Sequence, residues 1–165
     1  MTPAEQSLAD RRDFYNRTTS ILLPRVPYFD FGYWDYIPDP DRAEKEFDTW
    51  CSEIEKTVGQ AVPENDAVPL GVYRAAAGRD YCLVTLAFLL QKDGTSDVTV
   101  RERCDLQEAE FFRRATFAHL LATTPMLSFA SVRADAIYVV PGADEDALTA
   151  EDLRGEGYEY LRPLL

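Results

Sequence analysis

Few side chains in this 165-residue chain are equipped for chemistry, and their spacing limits what they can do. His119 is the one histidine, and it stands beside Phe117 and Leu120 in an apolar stretch. An imidazole there reads as a packed boundary residue rather than a metal ligand. Cys51, Cys82 and Cys104 are odd in number and show no C-x-x-C spacing. They read as reduced, packed thiols of a reducing, cytoplasmic setting, with Cys51 and Cys82 in segments expected to be buried. Asp39 with Asp41, or Asp144-Glu145-Asp146, offers oxygen ligands for Ca²⁺ or Mg²⁺. Neither group has the alternating ligands and closing Glu of an EF-hand loop. No G-x-S-x-G elbow, G-x-G-x-x-G or G-x-x-x-x-G-K-[ST] loop occurs. The sequence therefore assigns no catalytic residue, no cofactor and no metal.

What remains is an aromatic segment. Residues 26–38 place six aromatics within nine positions, interleaved with two carboxylates. Tyr28, Phe29, Asp30, Phe31, Tyr33, Trp34, Asp35 and Tyr36 form the candidate binding set. Tyr and Trp bury large areas at low entropic cost and dominate interface hot spots. The carboxylates favour a cation or an Arg-bearing partner through charge and cation–π contacts. The competing reading is that the rings bridge the N-terminal helix to the sheet and fill the core. Gly32-Tyr33-Trp34-Asp35 resembles a segment near the start of some S-adenosylmethionine methyltransferases, but no Gly-rich loop follows it, so a dinucleotide-type cofactor fold is not expected.

The net charge of −12 argues against a nucleic-acid surface and against anionic lipid. It suits a basic protein partner. Residues 30–66 hold eleven acidic and three basic side chains, and residues 142–165 hold seven and two. No stretch is long and apolar enough for a transmembrane helix, and the first residues lack the basic start and apolar core of a signal peptide. No membrane insertion is expected.

The elements that must position these residues are helices and a small sheet. Residues 4–22 read as a helix whose stripe recurs every seven residues at Ser7/Leu8, Phe14/Tyr15 and Ile21/Leu22, stopped by Pro24 and Pro27. So thin a stripe suits a helix laid on the domain or on a second copy of the chain, and a homo-oligomer is one expectation. Asp39 and Pro40 open a helix over 40–58 with Ala43, Phe47, Trp50, Cys51, Ile54 and Val58 on its core face. Residues 60–68 read as a loop and Leu70–Arg74 as a short strand. Tyr81–Leu90 is the longest apolar run and reads as a central strand covered on both faces, closed by a Lys92-Asp93-Gly94 turn. Asp97–Arg101 reads as a weak third strand. Asp105 and Glu108 read as a capping box opening a helix over 105–122. Val132–Val140 is the last strand, stopped by Pro141-Gly142. Thr149 and Asp152 form a second box, and Tyr158–Leu165 an apolar docked tail.

The fold class is α+β: a small, mainly antiparallel sheet covered by helices, with an N-terminal helical pair. Residues 1–66 form the helical region and 67–165 the α+β sandwich, together one compact unit.

The order of Val84-Thr85-Leu86, Asp105-Leu106-Gln107-Glu108-Ala109, Leu148-Thr149-Ala150-Glu151-Asp152-Leu153 and Leu161-Arg162-Pro163-Leu164 resembles the C-terminal domain of the uncharacterised DUF1517 family. The resemblance covers residues 80–165. Its motifs are structural, and it implies a small accessory protein without known enzymatic activity. The N-terminal half departs from that family, lacking its membrane-anchoring segment.

Two functions follow as expectations. The first is a non-enzymatic, acidic protein-interaction module that uses the aromatic–acidic surface. The alternative is a small enzyme or carrier with an aromatic-lined pocket in which Asp30, Asp35 or Glu44 acts as acid or base.

Overall fold

The structure, a computed structural model, describes residues 7–59, 81–140, 148–155 and 157–165, with side chains of the second helix described through Glu53. The helices are α1 (Leu8–Leu22), α2 (Pro40–Gly59), α3 (Thr95–Cys104) and α4 (Arg114–Thr123). The strands are β1 (Phe31–Gly32), β2 (Leu83–Leu90), β3 (Val132–Val140) and β4 (Arg162–Pro163). β1 pairs with β4 and β2 with β3, giving two small antiparallel sheets in an α+β fold. The expected strand at 70–74, the loop at 60–68, the acidic run at 144–146 and the 66/67 boundary lie outside the described residues.

The chain forms two compact units. The first comprises Met1–Pro40, Leu89–Ala134 and Leu161–Leu165, and the second Asp41–Phe88 and Asp135–Tyr160. Among the described residues, every fully buried side chain belongs to the first unit.

In the first unit, α1 opens with a capping box: Ser7 Oγ accepts from Asp10 N at 3.2 Å, and Asp10 Oδ2 accepts from Ser7 N at 3.2 Å. Tyr15 and Thr19, each 1% exposed, turn into the core, where Tyr15 stacks on Phe129 at 5.4 Å. Arg11 lies 5.4 Å over the other ring partner, Phe129, as a cation–π contact. The expected stripe is only half inward. Leu8, Phe14 and Ile21 are exposed at 51%, 40% and 55%. Neighbouring residues sit about 100° apart on a helix, so only one of each adjacent pair can face the core. The α-helix ends at Leu22, as expected ahead of Pro24 and Pro27, and the backbone tightens there into a 3₁₀ helix, Leu23–Tyr28, with Pro24 at its start.

Two further expectations are corrected here. Asp97–Arg101 is not a strand but the body of α3. Gly94 caps it, and Asp97 accepts a hydrogen bond from Asp93 N at 2.9 Å, so a carboxylate in the first turn outweighs the β-branched Val98, Thr99 and Val100. The turn before it is as expected: Gly94 N donates to Gln91 O at 2.9 Å and Asp93 adopts a left-handed φ of 56°. The helix expected from residue 105 begins at Arg114 instead. Glu108–Glu110 is a short 3₁₀ turn, and Arg113 is extended at φ −93°, ψ 140°, which breaks the path. Phe111 and Phe112 are thereby freed to meet other segments.

In the second unit, the half-buried face of α2 carries Ala43, Phe47, Trp50 and Cys51, as the spacing predicts, and Trp50 meets Tyr160 edge-on at 5.5 Å. Tyr81 bridges Leu148, its N donating to Leu148 O at 2.6 Å. Thr149 and Asp152 exchange hydrogen bonds as the expected box, ahead of a 3₁₀ turn, Asp152–Arg154. All three cysteines are free thiols, and Cys82 is exposed rather than packed.

Thr19 Oγ1 is buried without a hydrogen-bond partner among the described residues. A buried hydroxyl left unpaired costs about 1 kcal/mol or more. Thr19→Val is therefore expected to stabilise the chain by about 1 kcal/mol, read as a raised urea midpoint at unchanged m. A lowered midpoint would show that the hydroxyl is bonded.

Candidate functional site

The aromatic segment leaves the 3₁₀ helix at Tyr28 and runs extended through β1 towards α2. It contains little regular structure, so its course is set by hydrogen bonds from elsewhere in the first unit. Arg114 Nε donates to Phe29 O at 3.0 Å, and Leu164 N donates to Asp30 O at 3.0 Å. Phe31 pairs with Pro163 and Gly32 with Arg162. The tail that supplies β4 is itself held by Arg114 N donating to Leu165 O and Leu165 N donating to Phe112 O, at 3.0 and 2.9 Å.

Side chains alternate along an extended backbone. Gly32, Trp34 and Tyr36 turn inward, while Phe31, Tyr33 and Asp35 are exposed. A Cβ at Gly32 would lie 2.5 Å from the Phe117 ring, so glycine is required here by close approach. Trp34 donates Nε1–H to Phe111 O at 2.8 Å and meets the Phe111 ring edge-on at 5.2 Å. Tyr36 donates its hydroxyl to Asp97 Oδ1 at 2.7 Å. Asp97 is 8% exposed, so one buried carboxylate ties the segment to the start of α3. Tyr36 is pushed up to about 12, first by desolvation and then by its bond to the Asp97 carboxylate. Cys104 is pushed up to about 11, first by burial and then by the charge of Asp35.

The candidate set thus splits. Trp34 and Tyr36 are anchors with satisfied polar tips. Phe29 and Asp30 are half-buried, with backbone carbonyls engaged. Tyr28, Phe31 and Tyr33 are exposed at 82%, 38% and 43%, and Asp35 is exposed with Oδ1 accepting from Tyr36 N at 2.8 Å. Sequence reasoning missed Arg114, Asp97 and Phe111, which hold the segment from far along the chain. The need of a buried indole N–H for an acceptor was the one available signal, and it does not say which acceptor.

Two clefts flank α1 rather than the aromatic segment. One of about 230 Å³ is lined by Leu8, Ala9, Arg12 and Leu127–Ala130. Another of about 440 Å³ has Asp10, Asp13, Asn16 and Arg17 in its wall. Neither is lined by residues 28–36 or by Glu44. His119 sits on α4 with Arg103 Nη1 3.3 Å from its Nε2, a cation where a metal ligand would need an open lone pair. Among the described residues no three His, Cys, Asp or Glu side chains cluster as metal ligands, and no helix is long and apolar enough to cross a membrane. Comparison with protein-family models, curated proteins and solved structures finds no match to this chain.

Gly32→Ala is expected to cost about 1–3 kcal/mol, because the Phe117 ring must move, measured by urea unfolding. The Tyr36 bond gives a pH signature. Its folded-state pKa lies above the ordinary 10.0, so its contribution is complete below pH 10 and is lost as pH rises towards 12. Tyr15, also pushed up to about 12 by burial, titrates in the same window. Wild type should lose stability across that window, and Tyr36→Phe should lose less. Equal slopes would show that the hydroxyl bond to Asp97 is not made in solution.

Proposed function

We propose that this chain is a non-enzymatic, cytoplasmic interaction module that engages a basic protein through Tyr28, Phe31, Tyr33 and Asp35. The observation that carries this reading is the alternation along residues 31–36. Trp34 and Tyr36 are pinned by hydrogen bonds and the Gly32 backbone by close approach to Phe117, while Phe31, Tyr33 and Asp35 between them keep part of their surface in solvent. Aromatics held on a fixed backbone lose little freedom on binding, which is the condition for a hot spot. Asp35, with the net charge of −12 behind it, selects Arg- and Lys-bearing surfaces and speeds encounter with them. Trp34 and Tyr36 have their polar tips bonded to Phe111 O and Asp97 Oδ1, which supports an anchoring role for them over an acid–base one.

The test is titration of the full chain with an arginine-rich peptide, followed by calorimetry and by amide chemical shifts. Binding should weaken with salt, shift the amides of residues 28–36, and fall about tenfold or more in Phe31→Ala/Tyr33→Ala, a variant expected to stay folded because both rings are partly in solvent. Binding that the double variant leaves unchanged would place the interaction elsewhere.

A further inference from the structure

The outward side of α1 carries a pattern that the core uses only in part, through the edge of Phe14 against Tyr15 at 5.3 Å. Phe14 and Ile21, two turns apart, are 40% and 55% exposed although each is a large apolar side chain. They lie about 130° around the helix from the line of Tyr15 and Thr19 that enters the core. One turn before Phe14 stands Asp10, and one turn after Ile21 stands Arg25, both exposed. Arg25 belongs to the 3₁₀ helix that continues α1, and its Nη1 donates to Ile21 O, which lays the guanidinium along the same face. Asp10 is fixed at the other end by the capping box with Ser7.

The row therefore reads acid, aromatic, aliphatic, base, at positions 10, 14, 21 and 25, with exposed Arg17 and half-buried Thr18 flanking its centre, where two Arg17 side chains would meet beside a two-fold axis at a cost the apolar pairs must exceed. Asp10 with Arg25 and Phe14 with Ile21 are both centred on the Arg17–Thr18 peptide. A row with this symmetry complements itself when turned end over end. Two copies of α1 laid antiparallel about that centre set Phe14 of each against Ile21 of the other and Asp10 of each against Arg25 of the other. A parallel arrangement would oppose Asp10 to Asp10 and Arg25 to Arg25. We infer that α1 is the interface of a two-fold symmetric homodimer, paired antiparallel through these four residues.

The physical case rests on two terms. Exposed apolar side chains in line along a helix gain from burial against one another, and helices packed at about 8–10 Å allow it. The charges add little energy at a solvent-exposed rim but decide orientation, since like charges would meet in the alternative. A two-fold axis makes each contact occur twice, which is the economy of isologous interfaces. One helix per protomer is a small interface, so the dimer should be concentration-dependent rather than obligate. The inference is independent of the aromatic surface, because no residue of the row belongs to it.

Sedimentation equilibrium of the full chain over a wide concentration range is the first measurement. Wild type should show a reversible monomer–dimer equilibrium, and Phe14→Ser/Ile21→Ser should weaken it about tenfold or more with unchanged circular dichroism. Register is tested by charge exchange. Arg25→Glu alone and Asp10→Lys alone each oppose like charges at both ends of the dimer and should be more monomeric than wild type. Mixed one to one, they form a heterodimer with one native and one exchanged ion pair, and association should return. Arg25→Glu leaves the capping box intact, so its result does not depend on how well Asp10→Lys folds. A wild type that stays monomeric, a dimer indifferent to the Phe14/Ile21 variant, or a mixture that associates no better than its components overturns the inference. Loss of peptide binding in Phe31→Ala/Tyr33→Ala with dimerisation intact would separate this surface from the aromatic one.

Discussion

The first unit depends on the helix break at Phe111–Arg113. If the chain had continued as α-helix from Asp105, the carbonyls of Phe111 and Phe112 would have been consumed inside the helix. Because Arg113 is extended, those carbonyls accept instead from Trp34 Nε1 and Leu165 N, and the first residue of α4 gives its N–H to Leu165 O and its side chain to Phe29 O. Each bond is worth only about 1 kcal/mol net, yet a buried carbonyl left unpaired would cost more. The break, the aromatic segment and the tail therefore form together. Thr116 Oγ1 donating to Glu110 O at 2.7 Å stitches the break back to the helix that follows it.

That junction explains how a segment with two residues of regular strand holds a defined course. Its polar anchors are long-range: Trp34 to Phe111 and Tyr36 to Asp97 span 77 and 61 positions. Anchors so distant bring loop-closure cost, which the segment meets by using every second residue inward. The residues between them, Phe31, Tyr33 and Asp35, keep part of their surface in solvent. Buried polar side chains do comparable work elsewhere in the unit. Ser96, fully buried, donates to Ser128 O at 3.0 Å and accepts from Ser131 Oγ at 2.8 Å, fixing the start of α3 to the turn before β3.

Legibility followed range. The α2 face, the β3 run, the Lys92-Asp93-Gly94 turn and the Thr149–Asp152 box were readable because their causes lie within a few residues. Asp97–Arg101 was misread because three β-branched residues outweighed, on paper, a carboxylate whose role is to receive Asp93 N and Tyr36 OH. The start of α4 was misread because Asp105 and Glu108 satisfy the local capping rule, while the competing partners of Phe111 and Phe112 come from residues 34 and 165. The aromatic segment was legible as unusual but not as two-sided. Alternation is seen in sequence only when it alternates polarity, and here both faces carry rings.

The seven-residue recurrence of α1 shows how one pattern can encode two contacts. Phe14/Tyr15 and Ile21/Leu22 look like one broad stripe, but adjacent positions diverge by about 100° on the helix. Tyr15 and Leu22 belong to the line that packs within the unit, with Thr19 between them fully buried. Phe14 and Ile21 belong to the other line, which runs between Asp10 and Arg25. Singly exposed apolar side chains are ordinary on a covering helix, and Phe14 also meets Tyr15 edge-on at 5.3 Å, so exposure alone does not set this line apart. What sets it apart is the opposite charges at its two ends, equidistant from its centre, a pattern that would complement itself in one orientation and oppose like charges in the other.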